Sequence, residues 1–370
     1  MTYYRWRWGG LVLLLCVTVS AAAPGWVTVR QCAADPIATP EGFTFPGVIV
    51  SIVPDDGVRA LRAETMRTYY IAFAGENFIE GGALSPDGAW YAVPAGYIET
   101  AATDDIRYKV NELRVYSTAA NPKLTARLGW RATLQYGALT PMQWQDAQTL
   151  LFPDGSFLDD AALQVIQPFS GEIQPSTLAK FTHLAPDGLR GFMPMSDGLT
   201  LLDTQTEQAL APFTPSPASV TAFRWSPDSA QFVALRETED ARWLALYDRD
   251  GVLIADVYDL TRERVLWNLR WSLDGTHFAF SAYDPYRNEN SMYVVDVAEQ
   301  RVSDPCVLLV NRHDGVGVYG AVWSPDGTQM ALLTTQSIED PNALQLLDLA
   351  SGTRYGLGVY SGGLLGWGAG

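Results

Sequence analysis

Histidine and cysteine are scarce in this chain, with three residues of each among 370. His183 and His277 lie inside short apolar stretches that resemble β-strands, and only His313 stands in a polar segment. Zinc sites usually need several imidazole or thiolate ligands, so we expect no such metal site. The sequence also lacks a Gly-x-Ser-x-Gly elbow, a phosphate-binding loop and a dinucleotide-binding fingerprint. We therefore expect no cofactor and assign no catalytic residue.

Basic residues are also few, because 25 lysines and arginines face 41 aspartates and glutamates. The formal net charge is −16, which argues against nucleic acid and anionic membrane surfaces as the main partners. Hydrophobic residues make up 48% of the chain and aromatic residues 12%, a composition typical of a globular protein. The charge is then best explained by solubility.

Long hydrophobic runs are missing, and the longest apolar stretch near the N-terminus covers residues 10–19. This stretch is shorter than the roughly 20 residues that span a bilayer. It follows Arg5 and Arg7 and precedes the small residues 20–23, which is the layout of a secretory signal. We predict a signal peptide over residues 1–23. The alternative is an uncleaved anchor, which would be the only part of the protein expected to contact the membrane. Residues 24–370 are then one extracytoplasmic domain, which is secreted, periplasmic or anchored facing outward.

Two cysteines, Cys32 and Cys306, remain after such a leader. An even number of cysteines in an exported chain is compatible with a disulfide. Two buried free thiols are the alternative. A bridge between them would tie the start of the domain to a segment near its end.

One short pattern recurs six times along the chain: an apolar pair often containing Trp, a Ser-Pro-Asp-Gly turn, and an apolar strand. The copies begin at Ala83, Gln143, His183, Arg224, Arg270 and Val322. Their turn aspartates are Asp87, Asp146, Asp187, Asp228, Asp274 and Asp326, separated by 59, 41, 41, 46 and 52 positions. A period of roughly 40–50 residues predicts an all-β propeller in which each repeat forms one four-stranded blade.

The residue types of the pattern suit a tight turn between two strands. Proline presets φ, aspartate accepts hydrogen bonds from nearby amides, and glycine adopts positive φ at little cost. A third strand in most repeats ends in Asp and a polar turn, as in the stretch 244–251. The recurring aspartates are therefore predicted to be structural.

The repeats resemble the TolB-like (PD40-type, WD40-like) propeller repeats of bacterial envelope proteins. Residues 225–228 and 323–327 match that motif, while the copies at Gln143 and His183 depart from it. The resemblance covers roughly residues 80–360 and implies a propeller that works in the cell envelope. The α/β domain that precedes the propeller in TolB itself has no counterpart here, so the TolB activity is not carried over.

The two ends of the chain contain the pieces of one more blade. Trp367 follows Trp323 by 44 positions, which is one repeat, and only three residues come after it. Residues 42–54 and 57–64 supply strand-like stretches near the N-terminus. Because an unpaired sheet edge is costly, we predict a seven-bladed ring closed by a blade shared between the two ends. A six-bladed ring with a decorative N-terminal segment is the alternative.

In such a ring the Ser-Pro-Asp-Gly turns and the turns after the third strands share one face, the turn face. The opposite face, the far face, carries the connections between second and third strands and between blades. Longer loops are predicted there at residues 97–112, 282–292, 310–320 and 335–343. Loops on a rigid scaffold commonly carry function, and Tyr and Arg are common in recognition sites. The candidate binding residues are Asp104, Asp105, Arg107, Tyr108, Tyr283, Asp284, Tyr286, Arg287, Asn288, Arg312, His313, Asp314 and Tyr319.

A second set of candidates precedes the motif Trp position in four repeats: Gln143, His183, Arg224 and Arg270. Inner strands border the central channel of a propeller, so these side chains would line the channel or form salt bridges between blades.

Two functions remain open. The first is a non-catalytic scaffold that binds a protein, a peptide or an envelope glycan, and we expect it to act as a monomer. The second is a propeller hydrolase or lyase acting on a sugar or lactone through converging carboxylates. Calcium held by Asp104 and Asp105 would suit the second, although no EF-hand spacing is present.

Overall fold

The computed structural model describes most of the chain from Trp26 onward. The described ranges are 26–53, 57–62, 65–73, 82–85, 87–100, 106–119, 123–135, 142–154, 162–175, 181, 183–195, 198–210, 223–237, 240–261, 265–309, 320–334, 343–359 and 363–368. The signal peptide or anchor predicted over residues 1–23 lies outside them. No helix within these ranges has the length and hydropathy needed to cross a membrane.

The regular structure of the described residues consists of β-strands. In chain order they begin with β1 (Val27–Arg30), β2 (Ile37–Ala38), β3 (Val48–Val53), β4 (Gly57–Arg62), β5 (Arg67–Phe73), β6 (Ala83–Leu84), β7 (Trp90–Thr100), β8 (Ile106–Ser117), β9 (Leu124–Gln135), β10 (Gln143–Trp144), β11 (Leu150–Asp154), β12 (Ala162–Gln167), β13 (Glu172–Pro175), β14 (His183–Leu184) and β15 (Arg190–Met195). They continue with β16 (Gly198–Asp203), β17 (Arg224–Trp225), β18 (Gln231–Glu237), β19 (Arg242–Asp248), β20 (Leu253–Asp259), β21 (Val265–Trp271), β22 (His277–Asp284), β23 (Glu289–Asp296), β24 (Arg301–Asp304), β25 (Ala321–Trp323), β26 (Gln329–Thr334), β27 (Ala343–Asp348), β28 (Arg354–Val359) and β29 (Gly363–Gly368).

These strands form seven small sheets, which are the seven blades of a propeller. Blade 1 is β29-β3-β4-β5, and blades 2 to 7 are β6–β9, β10–β13, β14–β16, β17–β20, β21–β24 and β25–β28. Consecutive strands within each blade pair antiparallel, starting from the inner strand. The prediction of an all-β, seven-bladed propeller is confirmed.

Blade 1 closes the ring as predicted, because its inner strand comes from the C-terminus and its other strands from the N-terminal region. Trp367 of β29 lies opposite Ile49 of β3 in an antiparallel register. Seven apolar clusters of buried residues each join two neighbouring blades, including blades 7 and 1 and blades 1 and 2. The core is therefore a closed circle of interfaces between sheets.

The motif tryptophans link neighbouring blades, a role that the repeat pattern did not reveal. Trp367 of blade 1 donates its indole N–H to the carbonyl of Pro46, just before β3 of the same blade. In four other blades the indole N–H donates to an inner-strand carbonyl of the preceding blade: Trp144 to Ala83 (3.1 Å), Trp225 to His183 (3.2 Å), Trp271 to Arg224 (3.2 Å) and Trp323 to Arg270 (3.1 Å). The side chain thus fills the interface and satisfies an inner-strand carbonyl at the same time.

The Ser-Pro-Asp-Gly turns repeat one hydrogen-bond pattern. In blade 6, the Ser272 hydroxyl donates to Asp274 Oδ1 (2.6 Å), and the same carboxylate oxygen accepts the Thr276 N–H (3.1 Å). Gly275 holds φ at +70°, where a side chain would be strained. Blade 5 has Ser229 at the glycine position with φ +60°, and its hydroxyl accepts the Asp187 N–H of blade 4 (2.9 Å).

An N-terminal segment, residues 26–46, runs along the outer edges of blades 6 and 7, and we call it the strap. β1 adds a parallel fifth strand to β24, and β2 adds one to β28. Between them a disulfide joins Cys32 to Cys306, whose Cα atoms are 4.8 Å apart. Buried Trp26 and Phe45 lie at the two ends of the strap. These edge strands were not predicted from the sequence, because only residues 42 onward were assigned to the closing blade.

Two of the predicted long loops are wrong in extent. Residues 97–100 and 106–112, expected in a loop, belong to β7 and β8, which continue the hairpin of blade 2. Most of residues 282–292 belongs to β22 and β23, which leaves a four-residue turn. Alternating residues in both stretches are compatible with strands, and their polar composition concealed this.

Candidate functional site

The far-face turn between β22 and β23 is held in shape by its own side chains. Asp284 Oδ1 accepts the N–H of Tyr286 (2.8 Å), and the Tyr283 hydroxyl donates to Asn288 Oδ1 (2.8 Å). Asn288 adopts φ +56°, a conformation that asparagine tolerates better than most residues. Three of the predicted binding residues therefore shape the turn itself.

The other two predicted residues of this turn project into solvent. Tyr286 is 81% exposed, the largest exposure among the exposed large hydrophobic residues of the described chain. The Arg287 side chain is 72% exposed, and its Nε lies 3.7 Å from Asp284 Oδ2. An exposed ion pair of this length contributes little to stability. The turn thus presents an aromatic ring and a guanidinium on a fixed backbone.

Beneath this turn, a group of polar residues lies at the interface between blades 6 and 7, and we call Asn268, Ser281 and Asn290 the polar seam. Asn268 adopts φ +53° where the pairing of β21 with β22 is irregular. Its Nδ2 donates to the Ser281 hydroxyl (2.9 Å), and its Oδ1 accepts the Gly320 N–H of blade 7 (2.9 Å). Asn268 therefore connects the two blades.

Asn290 is the least satisfied member of the polar seam. It is 1% exposed and lies opposite Tyr283 in the β22–β23 register. Among the described residues, neither its amide nitrogen nor its amide oxygen has a hydrogen-bond partner. By strand alternation, Asn290 shares the sheet face of Met292 and Val294, which pack in the cluster joining blades 6 and 7. A buried amide in this condition retains a donor and an acceptor for another polar group.

The polar seam was missed because each member is a single amide or hydroxyl in an apolar strand. The sequence signal available was weak: Asn268 interrupts the apolar stretch of β21, and Asn290 precedes the apolar end of β23. A polar residue in a strand is more often exposed than buried, so the signal could not indicate a buried position.

The turn face is different, because its carboxylates have structural partners. Burial raises the pKa of Asp274, but hydrogen bonds from Ser272 and Thr276 outweigh it and hold the pKa below its usual value. The same balance lowers the pKa of Asp326. These acids stay ionised and are committed to their turns.

Two of the inner-strand candidates, Arg224 and His183, lie side by side in neighbouring blades. The Arg224 guanidinium donates to the neighbouring carbonyl of Phe223 (2.7 Å) and makes no ion pair with the described residues. Burial lowers the pKa of His183 to about 4, and the nearby Arg224 charge adds to this effect. His183 is therefore neutral at physiological pH, with its ring 5.3 Å from that of Phe223.

Several candidates from the sequence cannot be placed. Asp104, Asp105, Arg312, His313, Asp314 and Tyr319 lie outside the described residues. Arg107 and Tyr108 lie in β8, where they pair with Gln135 and Leu134 of β9. Within the described ranges, no three His, Cys, Asp or Glu side chains come close enough to share a metal ion. Calcium binding by Asp104 and Asp105 stays a prediction.

Comparison with known proteins identifies the architecture only. No family model matches the chain, and no curated protein matches its sequence. A functionally unknown protein from Desulfotomaculum acetoxidans DSM 771 is 13% identical, with a TM-score of 0.51 over 88% of this chain and 98% of that one. This likeness agrees with the β-propeller fold and assigns no function.

Two further similar structures have TM-scores below 0.5. TolB from Acinetobacter baumannii is 12% identical, with a TM-score of 0.44 over 86% of this chain and 82% of that one. An oligogalacturonate lyase in complex with manganese is 13% identical, with a TM-score of 0.49 over 86% and 85%. Because propellers host unrelated functions, likeness at this level shows the fold and assigns no activity.

Proposed function

We propose that this protein is a non-catalytic recognition scaffold outside the cytoplasm, which binds a protein, a peptide or an envelope glycan through its far face. The observation that carries the proposal is the β22–β23 turn, where Tyr286 and Arg287 project from a backbone fixed by Asp284 and Asn288. Tyrosine and arginine are frequent anchors of interfaces, and a turn that is already fixed does not have to be ordered when the ligand binds.

The exposed groups of this turn indicate a class of ligand. An aromatic ring and a guanidinium side by side suit a ligand that is rich in hydroxyl or carbonyl groups, such as a glycan or an extended peptide. Asn290 lies opposite Tyr283 at the base of the turn, but it is only 1% exposed, so its amide is not part of the exposed surface.

The disulfide supports the proposed compartment. Disulfides persist in oxidising environments such as the periplasm and the extracellular space, and they are rare in the cytosol. The Cys32–Cys306 bond fastens the strap at the outer edge of blade 6, so an oxidising compartment favours the complete fold.

The proposal is tested by retaining components of a cell-envelope extract on the immobilised protein. We expect stoichiometric retention of one component, which the double variant Tyr286→Ala and Arg287→Ala loses. The control variant Leu189→Ala and Leu273→Ala changes two exposed side chains outside the far-face turn and should retain it. Equal losses from both variants would remove the assignment to the far face.

The enzyme alternative makes a different prediction. A hydrolase or lyase would turn over members of a panel of glycosides, lactones and uronates, whereas a scaffold would bind without product formation. Turnover that survives purification and is lost in a variant of a single carboxylate would overturn the scaffold proposal.

A further inference from the structure

The outer edge of blade 5 exposes an unusual run of apolar side chains. Val252, Leu253 and Ile254 are consecutive, and their exposures are 57%, 40% and 48%. Leu253 and Ile254 begin β20, the outermost strand of this blade. Within the described ranges, no strand pairs with the outer side of β20. An apolar edge strand of this kind is a template for another extended chain.

The next two blades show what covers such an edge in this fold. Along the ring after blade 5, β24 of blade 6 is covered by β1 and β28 of blade 7 by β2, both parallel. The strap that supplies them begins at Trp26, which belongs to the apolar cluster joining blades 5 and 6. The open edge of blade 5 therefore continues the line of an existing interface between outer edges and an extended segment.

The exposed run lies where the strap begins its contacts on the other two blades. Val27 pairs with the first residue of β24, and Ile37 pairs with the second residue of β28. The first two residues of β20 are Leu253 and Ile254. Val27 and Ile37 are the first residues of the strands that the strap adds to blades 6 and 7. A segment that pairs with β20 in the same way would place an apolar residue next to Leu253 and Ile254.

The irregular pairing of β20 with β19 does not prevent this arrangement. Register shifts occur between Leu244 and Ala245 and between Leu246 and Tyr247, and bulges usually discourage edge pairing. However, β28 also has a register shift against β27, and it still accepts β2. The comparison indicates a short parallel strand of the length of β2.

We infer that the outer edge of β20 is a docking site for an extended peptide segment of a partner protein, which adds a short parallel strand to blade 5. Main-chain hydrogen bonds to the edge would supply affinity. Leu253 and Ile254 are consecutive and lie on opposite faces of the sheet, so contact with both would favour apolar side chains at two consecutive positions of the added strand. This site lies on the rim of the disc, so it does not depend on the proposed function of the far face.

The test uses a fluorescent synthetic peptide with the sequence of residues 26–38, carrying Cys32→Ser, added to the oxidised full chain. This peptide is chosen because the same sequence already covers outer edges in this fold. We expect saturable one-to-one binding, which the double variant Leu253→Lys and Ile254→Lys weakens by at least about tenfold. The control Leu124→Lys, at a 46% exposed position on the outer strand of blade 2, should leave binding unchanged.

Val252→Lys is a second variant, since it changes a residue in the turn before β20 and is expected to leave the fold intact. It should also weaken binding of the peptide, and its thermal unfolding curve should match that of the unsubstituted protein. The inference would be overturned if the peptide showed no saturable binding. It would also be overturned if neither the Leu253→Lys, Ile254→Lys double variant nor Val252→Lys altered the binding. Concentration-dependent dimerisation that Leu253→Lys and Ile254→Lys abolish would also overturn it, because the occupant would then be a second copy of this chain.

Discussion

The two faces of the propeller use aspartate and asparagine in opposite ways. On the turn face, each well-formed motif aspartate accepts bonds from a buried serine hydroxyl and from a backbone amide within the same turn. On the far face, Asp284 and Asn288 support a turn whose most prominent side chains face solvent, and buried Asn290 has no partner among the described residues.

This difference separates residues that maintain the ring from residues available for recognition. Repeated hydrogen bonds on the turn face explain why the motif recurs with little change, because every blade needs the same turn. No such repeated pattern joins the far-face residues that the structure describes, and the far-face stretches differ in sequence from blade to blade. Substitutions on the two faces test this contrast, and the largest expected effects concern stability.

Asp274→Ala should lower the free energy of unfolding by about 1–2 kcal/mol, because the Ser272 hydroxyl and the Thr276 amide lose their acceptor. Asp284→Ala, on the far face, removes the acceptor of the Tyr286 N–H and should cost only about 0.5 kcal/mol, since that amide can be solvated. Urea unfolding of both variants measures the difference. Equal costs would contradict the contrast between the faces.

Asn290→Leu should raise the free energy of unfolding by about 1 kcal/mol, because it replaces an unpartnered buried amide with an apolar side chain of similar size. The same variant should leave far-face ligand binding unchanged, because the Asn290 side chain is buried. The comparison variant Asn268→Leu removes two hydrogen bonds and places leucine at φ +53°, so it should destabilise by about 2–4 kcal/mol. A large loss of stability in Asn290→Leu would show that the amide has a structural role.

Ser229 gives a third test, because it combines a positive φ with a bond between blades 4 and 5. Ser229→Ala keeps the strained backbone and loses the bond, and should cost about 1 kcal/mol. In Ser229→Gly the same loss is offset by relief of strain of about 1 kcal/mol, so stability should change little. Thermal unfolding of the two variants side by side tests this; a Gly variant as unstable as the Ala variant would argue against strain at this position.

The smallest effect expected is a pH dependence from the turn face. The pKa values of Asp274 and Asp326 in the folded protein lie below their ordinary value. Between the folded and the unfolded pKa, the unfolded chain therefore binds more protons than the folded chain. The contribution of these two carboxyl groups to stability is present above the unfolded pKa of about 3.9 and is lost as pH falls through the folded pKa. Asp274→Asn should flatten the acid limb of a stability-versus-pH curve. An unchanged limb would contradict the assigned pKa direction.

Much of the ring could be predicted from the sequence because its signals are local and repeated. The aspartates identify the turns, and the position of Trp367 identifies the closing strand. The strap could not be predicted in the same way, because β1 and β2 have four and two residues and depend on edges that exist only after the blades form.

The candidate site was only partly predictable for a similar reason. Tyr286 and Arg287 could be singled out by residue type and by their place between two strands. The unpartnered state of Asn290 depends on the packing of blade 6 against blade 7, which joins residues distant in the chain. Polar stretches such as residues 97–112 were assigned to loops because alternation was weak, whereas pairing within blade 2 extends the strands.

The most direct test of the account is hydrogen–deuterium exchange of the full chain, measured by mass spectrometry with and without the envelope component that the immobilised protein retains. The account predicts new protection in the peptide covering residues 283–290 and no change in the turn-face peptide covering residues 272–277. New protection at residues 272–277 with none at 283–290 would show that recognition occurs on the opposite face.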